Sequence, residues 1–123
     1  MNIIGVGVDV ADVRRFRERI ERTPELLDRL LTPAERTTPS GTPRTVESLA
    51  ARFAAKEAAA KALVYPRTLP WREVEVVTGE HGEPALRLSG AVAERLRELG
   101  GRRMHLSLSH DAALAIAYVI AEG

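Results

Sequence analysis

The stretch Ala51-Arg52-Phe53-Ala54-Ala55-Lys56-Glu57-Ala58-Ala59-Ala60-Lys61-Ala62 decides the fold. Alanine is the strongest helix former, and the run holds no Gly, Pro or β-branched residue, so it predicts a helix from near Val46 to about Leu63. Its side chains are mostly small, which lets another backbone or a ligand come close. Against that ground stand Arg52, Lys56, Glu57 and Lys61, all long and charged. Glu57 and Lys61 lie four apart on one helix face, the acid N-terminal to the base. The pair reads either as an ordinary surface ion pair or as a carboxylate for a metal beside an ammonium for a phosphate. The helix alone does not choose.

On the N-terminal side, residues 3–10 are β-branched with two interrupting glycines, Gly5 and Gly7. That predicts a strand with close approach of another backbone or a ligand. Asp9 near its end reads as a helix cap or as a site residue. Val13, Phe16 and Ile20 then recur at helical spacing, with Arg14, Arg15, Arg17 and Arg19 on the other faces. A short helix is expected over residues 23–31. Thr32-Pro33-Ala34-Glu35 carries the cap, N1 proline and N3 acid of a further helix start, and residues 37–45 form a polar surface loop.

Beyond the Ala-rich helix, residues 65–70 are a stiff, extended connection, and residues 71–78 alternate as a strand. A turn over residues 79–84 returns the chain as a hairpin partner over 85–88. Ser89 reads as the cap of a helix over residues 90–99 that Gly100-Gly101 stops. Residues 104–110 alternate with period two and present His105, Ser107 and Ser109 on one face, and residues 113–121 complete an antiparallel pair. The order argues an α+β fold, with a small antiparallel sheet packed on a long central helix. At 123 residues, a single domain spanning 1–123 is expected.

With 45% hydrophobic and 28% charged residues, the composition is that of a soluble globular protein. No cysteine is present, which excludes disulfides, thiolate metal sites and cysteine nucleophiles. No apolar run is long enough for a bilayer and the start does not resemble a signal peptide, so a cytoplasmic location is the expectation. The net charge of +1 is uneven: residues 14–22 carry five Arg against two Glu, a local +3, leaving −2 for the remainder. That Arg row reads as a solvated face or as a docking surface for an acidic partner. Nucleic acid is the weaker candidate, with aromatics at only 4% and the chain hardly basic.

Three polar clusters carry the chemistry: Asp9, then Arg52 with Glu57 and Lys61, then Ser107, Ser109 and His110. Two carboxylates without Cys or a metal-spaced His set suggest a hard cation such as Mg²⁺, which keeps waters and bridges to substrate phosphate. Arg, Lys and His nearby suit a polyphosphate. No His-Glu-x-x-His and no P-loop occurs. Ser109, His110 and Asp111 cannot act as a hydrolytic relay, because neighbours on a strand point to opposite faces.

Gly5-Val6-Gly7-Val8-Asp9, the Arg52-to-Ala62 run with its Arg-Phe-Ala-x-Lys-Glu-x-x-x-Lys-Ala pattern, and His105-Leu106-Ser107-Leu108-Ser109-His110 resemble the holo-acyl-carrier-protein synthase family of 4′-phosphopantetheinyl transferases. The match runs in order from Ile3 to about Glu122 and is similar to the short, single-lobed members. Glu83 stands where the family often has Lys in its Gly-Lys-Pro hairpin. Leu63-Val64-Tyr65-Pro66 replaces a Phe-Gly-Thr-Gly-like segment, and Ala11 lies where large members carry a further acid. The resemblance implies transfer of the 4′-phosphopantetheine arm of coenzyme A to a serine of an acyl carrier protein, releasing adenosine 3′,5′-bisphosphate. It implies Asp9 and Glu57 as Mg²⁺ ligands, and Glu57, Lys61 and His110 as catalytic residues. Arg52, Lys61, Ser109 and His110 would contact coenzyme A, and Arg15 with its Arg row would contact the acidic carrier protein. It also implies a homotrimer with sites at subunit interfaces, a reading that the strand glycines and the small-sided helix support as surfaces for close subunit packing. The alternative from another class is a non-catalytic coenzyme A or carrier-protein binding module. Carriers of fatty-acid and of polyketide synthesis fit the Arg surface equally.

Overall fold

The central helix forms as the Ala run requires. In the computed structural model, which describes residues 2–123, it is α3, Val46–Leu63. Thr45 caps it, its side chain accepting from the Ser48 N–H. Eleven of its side chains are buried, from Leu49 to Leu63, so it is surrounded on nearly every face.

Against it lies a three-stranded antiparallel sheet in the order β1-β5-β4, from β1 (Ile3–Asp12), β4 (Arg103–Asp111) and β5 (Leu114–Glu122). The two glycines of β1 explain how near the strand comes. A Cβ on Gly5 would lie 1.9 Å from the Ala62 carbonyl oxygen, and one on Gly7 1.9 Å from that of Ala58. Glycine on the strand and alanine on the helix together bring the two backbones into contact. The register sets Gly7, Val119 and Leu106 side by side, then Asp9, Ala117 and Leu108, then Ala11, Ala115 and His110. These residues form the helix-side face, where Ala115, Ala117 and Val119 are fully buried. The alternate residues, Val6, Val8, Val10, Ile116, Tyr118 and Ile120, line the other face, on which Val10 is 55% exposed.

The remaining elements wrap the open sides of α3. Helix α1 (Val13–Arg22) is capped by Asp12, which accepts from the Arg15 N–H, and docks through Phe16 on Phe53, with ring centroids 5.6 Å apart. Then come α2 (Leu26–Leu30) and a 3-10 turn, Pro33–Arg36, with a full capping box between Thr32 and Glu35. Strands β2 (Val74–Thr78) and β3 (Pro84–Leu88) form a separate hairpin, and α4 (Gly90–Glu98) follows. Among the described residues, no helix is long and apolar enough to cross a membrane.

Four readings of the sequence need correction. Residues 71–78 are not strand throughout: Trp71–Glu73 is a 3-10 turn, which turns the Trp71 carbonyl toward the Lys56 ammonium, 2.9 Å away. The helix expected over 23–31 forms only at Leu26–Leu30, since Thr23 closes α1 and its carbonyl is taken by the Leu26 N–H. Asp12, not Asp9, caps α1. Finally, the glycines of β1 and the alanines of α3 meet each other inside the chain, so they are not the surface for subunit packing.

α3 ends at Val64 in a left-handed conformation, φ 45°, unusual for a β-branched residue. Arg95 of α4 holds that end, its Nε donating to the Leu63 carbonyl at 3.0 Å and its Nη2 to that of Val64 at 3.2 Å. The β4–β5 turn is similarly unusual, with Ala112 and Ala113 both at positive φ where Asn-Gly is the common choice. The Ala113 carbonyl accepts from the Val13 N–H at 3.0 Å, which ties the turn to the start of α1.

Candidate active site

Asp9 is placed by the register of β1 on the helix-side face, over the second half of α3. There Lys61 meets it: the ammonium donates to Asp9 Oδ1 at 3.1 Å and to the Val8 carbonyl at 3.0 Å. Lys61 thus does not close the i, i+4 pair with Glu57 that helical spacing suggests. It bridges to the strand instead, because the glycines let β1 come within reach of the ammonium.

Glu57, one turn before Lys61, is half-buried, and its carboxylate has no hydrogen-bond or ion-pair partner among the described residues. Burial, and then the charge of Asp9, hold its carboxyl above the ordinary carboxylate range, while Lys61 and Arg19 pull the other way. Two carboxylates that repel each other, one of them partnerless, suit a hard cation. No group of three or more His, Cys, Asp or Glu converges among the described residues. A cation here would therefore complete its shell with water and substrate oxygens, as Mg²⁺ commonly does.

Beside this cluster is a cavity of about 140 Å³ lined by Val10, Ala11, Asp12, Arg15, Phe16, Arg19 and Phe53. Arg19 stacks over the Phe53 ring at 5.9 Å. Arg15 and Arg19 thus bring the basic face of α1 to the edge of the carboxylate site.

Arg52 belongs to a second cluster. It is 6% exposed, and its Nη1 donates to Ser48 Oγ at 3.0 Å. Its Nη2 reaches Thr78 Oγ1 at 3.5 Å. Arg44 shares both hydroxyls, at 3.3 Å to Ser48 and 3.2 Å to Thr78. The Nε atoms of both arginines are buried without a partner among the described residues. Burial, with Arg44 adding to it, lowers the Arg52 pKa to about 10. Two guanidiniums thus meet at two hydroxyls and concentrate positive charge there. A groove of about 290 Å³ opens beside Arg44, with Thr37, Thr38, Thr78, Arg87 and also Glu75 in its wall; Arg52 does not line it. Arg44 did not stand out in the sequence, since it sits alone in the polar loop of residues 37–45.

The third cluster divides across the sheet. His110 shares the helix-side face with Ala11 and Asp9 but lies on the far strand, at the exposed end of β4. Ser109 faces the opposite way, in line with Ile116 and Val10. One chain does not bring Ser109 and His110 to the same site. His105, on the Ser109 face, pairs with Glu122 at 3.2 Å, and Glu122 also meets Arg103 at 3.2 Å.

A family model described as the 4′-phosphopantetheinyl transferase superfamily matches residues 5–119. The chain is 60% identical over 121 residues to a holo-[acyl-carrier-protein] synthase of Streptomyces griseus, covering 98% of this chain and 99% of the relative. Its fold matches a crystal structure of the holo-[acyl-carrier-protein] synthase from Neisseria meningitidis with a TM-score of 0.85 at 32% identity, covering 99% of this chain and 100% of the other. The Helicobacter pylori synthase, solved in complex with coenzyme A, matches with a TM-score of 0.82 at 28% identity, over 95% of this chain and 99% of that one.

Proposed function

The chain belongs to the 4′-phosphopantetheinyl transferase superfamily, among its holo-[acyl-carrier-protein] synthases, and on that premise we propose how its residues divide the reaction. The substrates are coenzyme A and an apo acyl carrier protein. A serine oxygen of the carrier attacks the pantetheine-side phosphorus of the pyrophosphate, and the bond to the bridging oxygen breaks. Adenosine 3′,5′-bisphosphate leaves, and the serine proton passes to a base. The observation that carries this reading is the Lys61 bond to Asp9 where β1 crosses α3, with Glu57 one turn away and within reach of the Asp9 charge.

In this scheme Asp9 and Glu57 hold Mg²⁺, which when bound neutralises pyrophosphate oxygens. Lys61, tethered to Asp9, directs its ammonium at the leaving phosphate, and either Glu57 or a water held in the same site accepts the serine proton. The charge of the Arg44 and Arg52 guanidiniums favours a further phosphate of coenzyme A beside them. His110, at the end of β4, reaches the substrate from the helix side. Incubation with apo carrier protein, coenzyme A and Mg²⁺ should add the phosphopantetheine mass to the carrier. An unchanged carrier mass would sink the assignment in favour of a binding module.

Charge on α1 favours the acidic carrier as the docking partner. Arg15→Glu should raise KM for the carrier about tenfold, more at low salt, with KM for coenzyme A little changed. Equal losses for both substrates would show that the surface is misassigned.

The cavities at the two clusters hold about 140 and 290 Å³, at or below the small end for ligand clefts. A neighbouring surface is needed to enclose coenzyme A. The open sheet face, with Val6, Val8, Val10 and Tyr118 each between 44% and 55% exposed, is apolar enough to pack against another copy. We assign the protein as a cytoplasmic homotrimer joined through this face, which would place Ser109 of one subunit toward its neighbour's coenzyme. Sedimentation should give three chains per particle; a fully active monomer would refute the assembly.

A further inference from the structure

Glu35 and Lys56 form an ion pair at 2.8 Å, and neither side chain is exposed to solvent at all. Such a pair is a poor source of stability, because removing both charges from water offsets most of their attraction. Its geometry suggests another use. Glu35 Oε1 also accepts from the Thr32 N–H at 2.9 Å, and Oε2 accepts from the Val76 N–H at 2.7 Å. Lys56 donates a second bond to the Trp71 carbonyl. One carboxylate therefore fixes the 3-10 turn at Pro33–Arg36, α3 and β2 relative to one another.

Each of these elements supplies one part of the arginine cluster. Thr78, whose hydroxyl takes both guanidiniums, lies two residues beyond Val76 on β2. Arg52 lies one helical turn before Lys56 on α3. The Arg44 N–H donates to the carbonyl of Arg36, the residue after Glu35, at 3.1 Å. Glu35 is also the buried negative charge that favours the cationic form of both Arg44 and Arg52. The other nearby carboxylate, Glu75, is already committed to Thr32 and Arg87. Arg44, Arg52 and Lys56 thus outnumber Glu35, which leaves a net positive charge on the two guanidiniums that meet at Ser48 and Thr78.

We propose that Glu35, locked by Lys56, is a positioning residue that holds Arg44, Arg52 and Thr78 as a preformed phosphate receptor, setting coenzyme A affinity without touching the substrate. This rests on the reading above that the arginine pair receives a phosphate of coenzyme A.

The test uses the full-length wild type, Glu35→Gln, and the double variant Glu35→Gln/Lys56→Met, whose apolar replacement leaves no buried unpaired ammonium. Coenzyme A binding is titrated calorimetrically, and kcat and KM are measured for both substrates alongside melting. The double variant should melt closer to wild type than the single one. Both should bind coenzyme A about tenfold or more weakly, with KM for the carrier and kcat nearly unchanged. Where the single variant fails to fold, the double variant decides. If the double variant melts like wild type and binds coenzyme A equally tightly, the pair merely holds the fold and the proposal is overturned. Equal loss for both substrates overturns it too. A wild type that modifies the carrier but is indifferent to Arg52→Ala in coenzyme A affinity would instead overturn the reading beneath it.

Discussion

Glu57→Gln is expected to lower turnover about a thousandfold while the chain folds as before. The amide has nearly the shape of the carboxylate, and the carboxylate makes no bond to the rest of the described residues that the change would break. What is lost is charge, at the one place where a second negative group is held beside Asp9 against electrostatic repulsion. A carboxylate that serves only to decorate a helix would leave the rate untouched. In metal-free protein the same substitution has a second consequence, with a definite sign. The folded chain holds the Glu57 proton more tightly than the unfolded chain, because burial and Asp9 both disfavour the ionised form. Stability from this group is therefore full below the ordinary carboxylate range and is lost as pH rises through the raised folded value. Near neutral pH the Gln variant should melt above metal-free wild type, and the gap should close on acidification. Mg²⁺ should raise the melting point of wild type and not that of the variant. Mass spectrometry of the carrier, with melting curves at two pH values, checks every part; full turnover in a wild-type-like fold would remove Glu57 from the site.

The parts of this molecule legible in its sequence are those governed by neighbours along the chain. The Ala run makes α3, which starts at Val46 as expected, and period-two alternation gives β4 its faces. Contacts between distant segments were less visible. Helical spacing pairs Glu57 with Lys61, yet Lys61 bonds to Asp9, 52 residues away, because a strand lies closer to the ammonium than the carboxylate one turn back. Glu35 reads as a capping acid, and it is one; its bond to Lys56 spans 21 residues and leaves no local signature. Arg44 lies in a loop without periodicity, so only its meeting with Arg52 at Ser48 and Thr78 marks it. Likewise the glycines of β1 announce a close approach without naming what approaches. Asp9, Glu57, Lys61 and His110 stand out as polar groups, but their separate roles follow only from the resemblance of three motifs. Spacing gives no reason to connect Asp9 with a helix that starts 37 residues further on.

Gly7→Ala should destabilise the fold by about 3 kcal/mol or more, because the added methyl has nowhere to go. Its carbon would lie 1.9 Å from the Ala58 carbonyl oxygen and 2.8 Å from the Ala62 backbone nitrogen. Both obstacles are helix backbone, which cannot rotate aside as a side chain would. The strand must move off the helix while it stays paired to β5 along one edge, and that opens the packed layer between strand and helix. For a chain of this length the loss corresponds to a fall in melting temperature of roughly 10 °C. Function should suffer before unfolding does. Any shift of β1 that clears the methyl also carries Asp9, two residues on and on the same face, away from Lys61 and Glu57. At a temperature where the variant is still folded, turnover should therefore fall with Mg²⁺-dependent stabilisation weakened in parallel. Gly82→Ala is the control, since a Cβ there meets nothing within 4 Å and its cost is confined to a positive φ of 81° in an exposed hairpin turn. It should lower melting by less and leave turnover nearly as it was. A Gly7→Ala chain that melts and turns over like wild type would mean that β1 and α3 do not touch at this point.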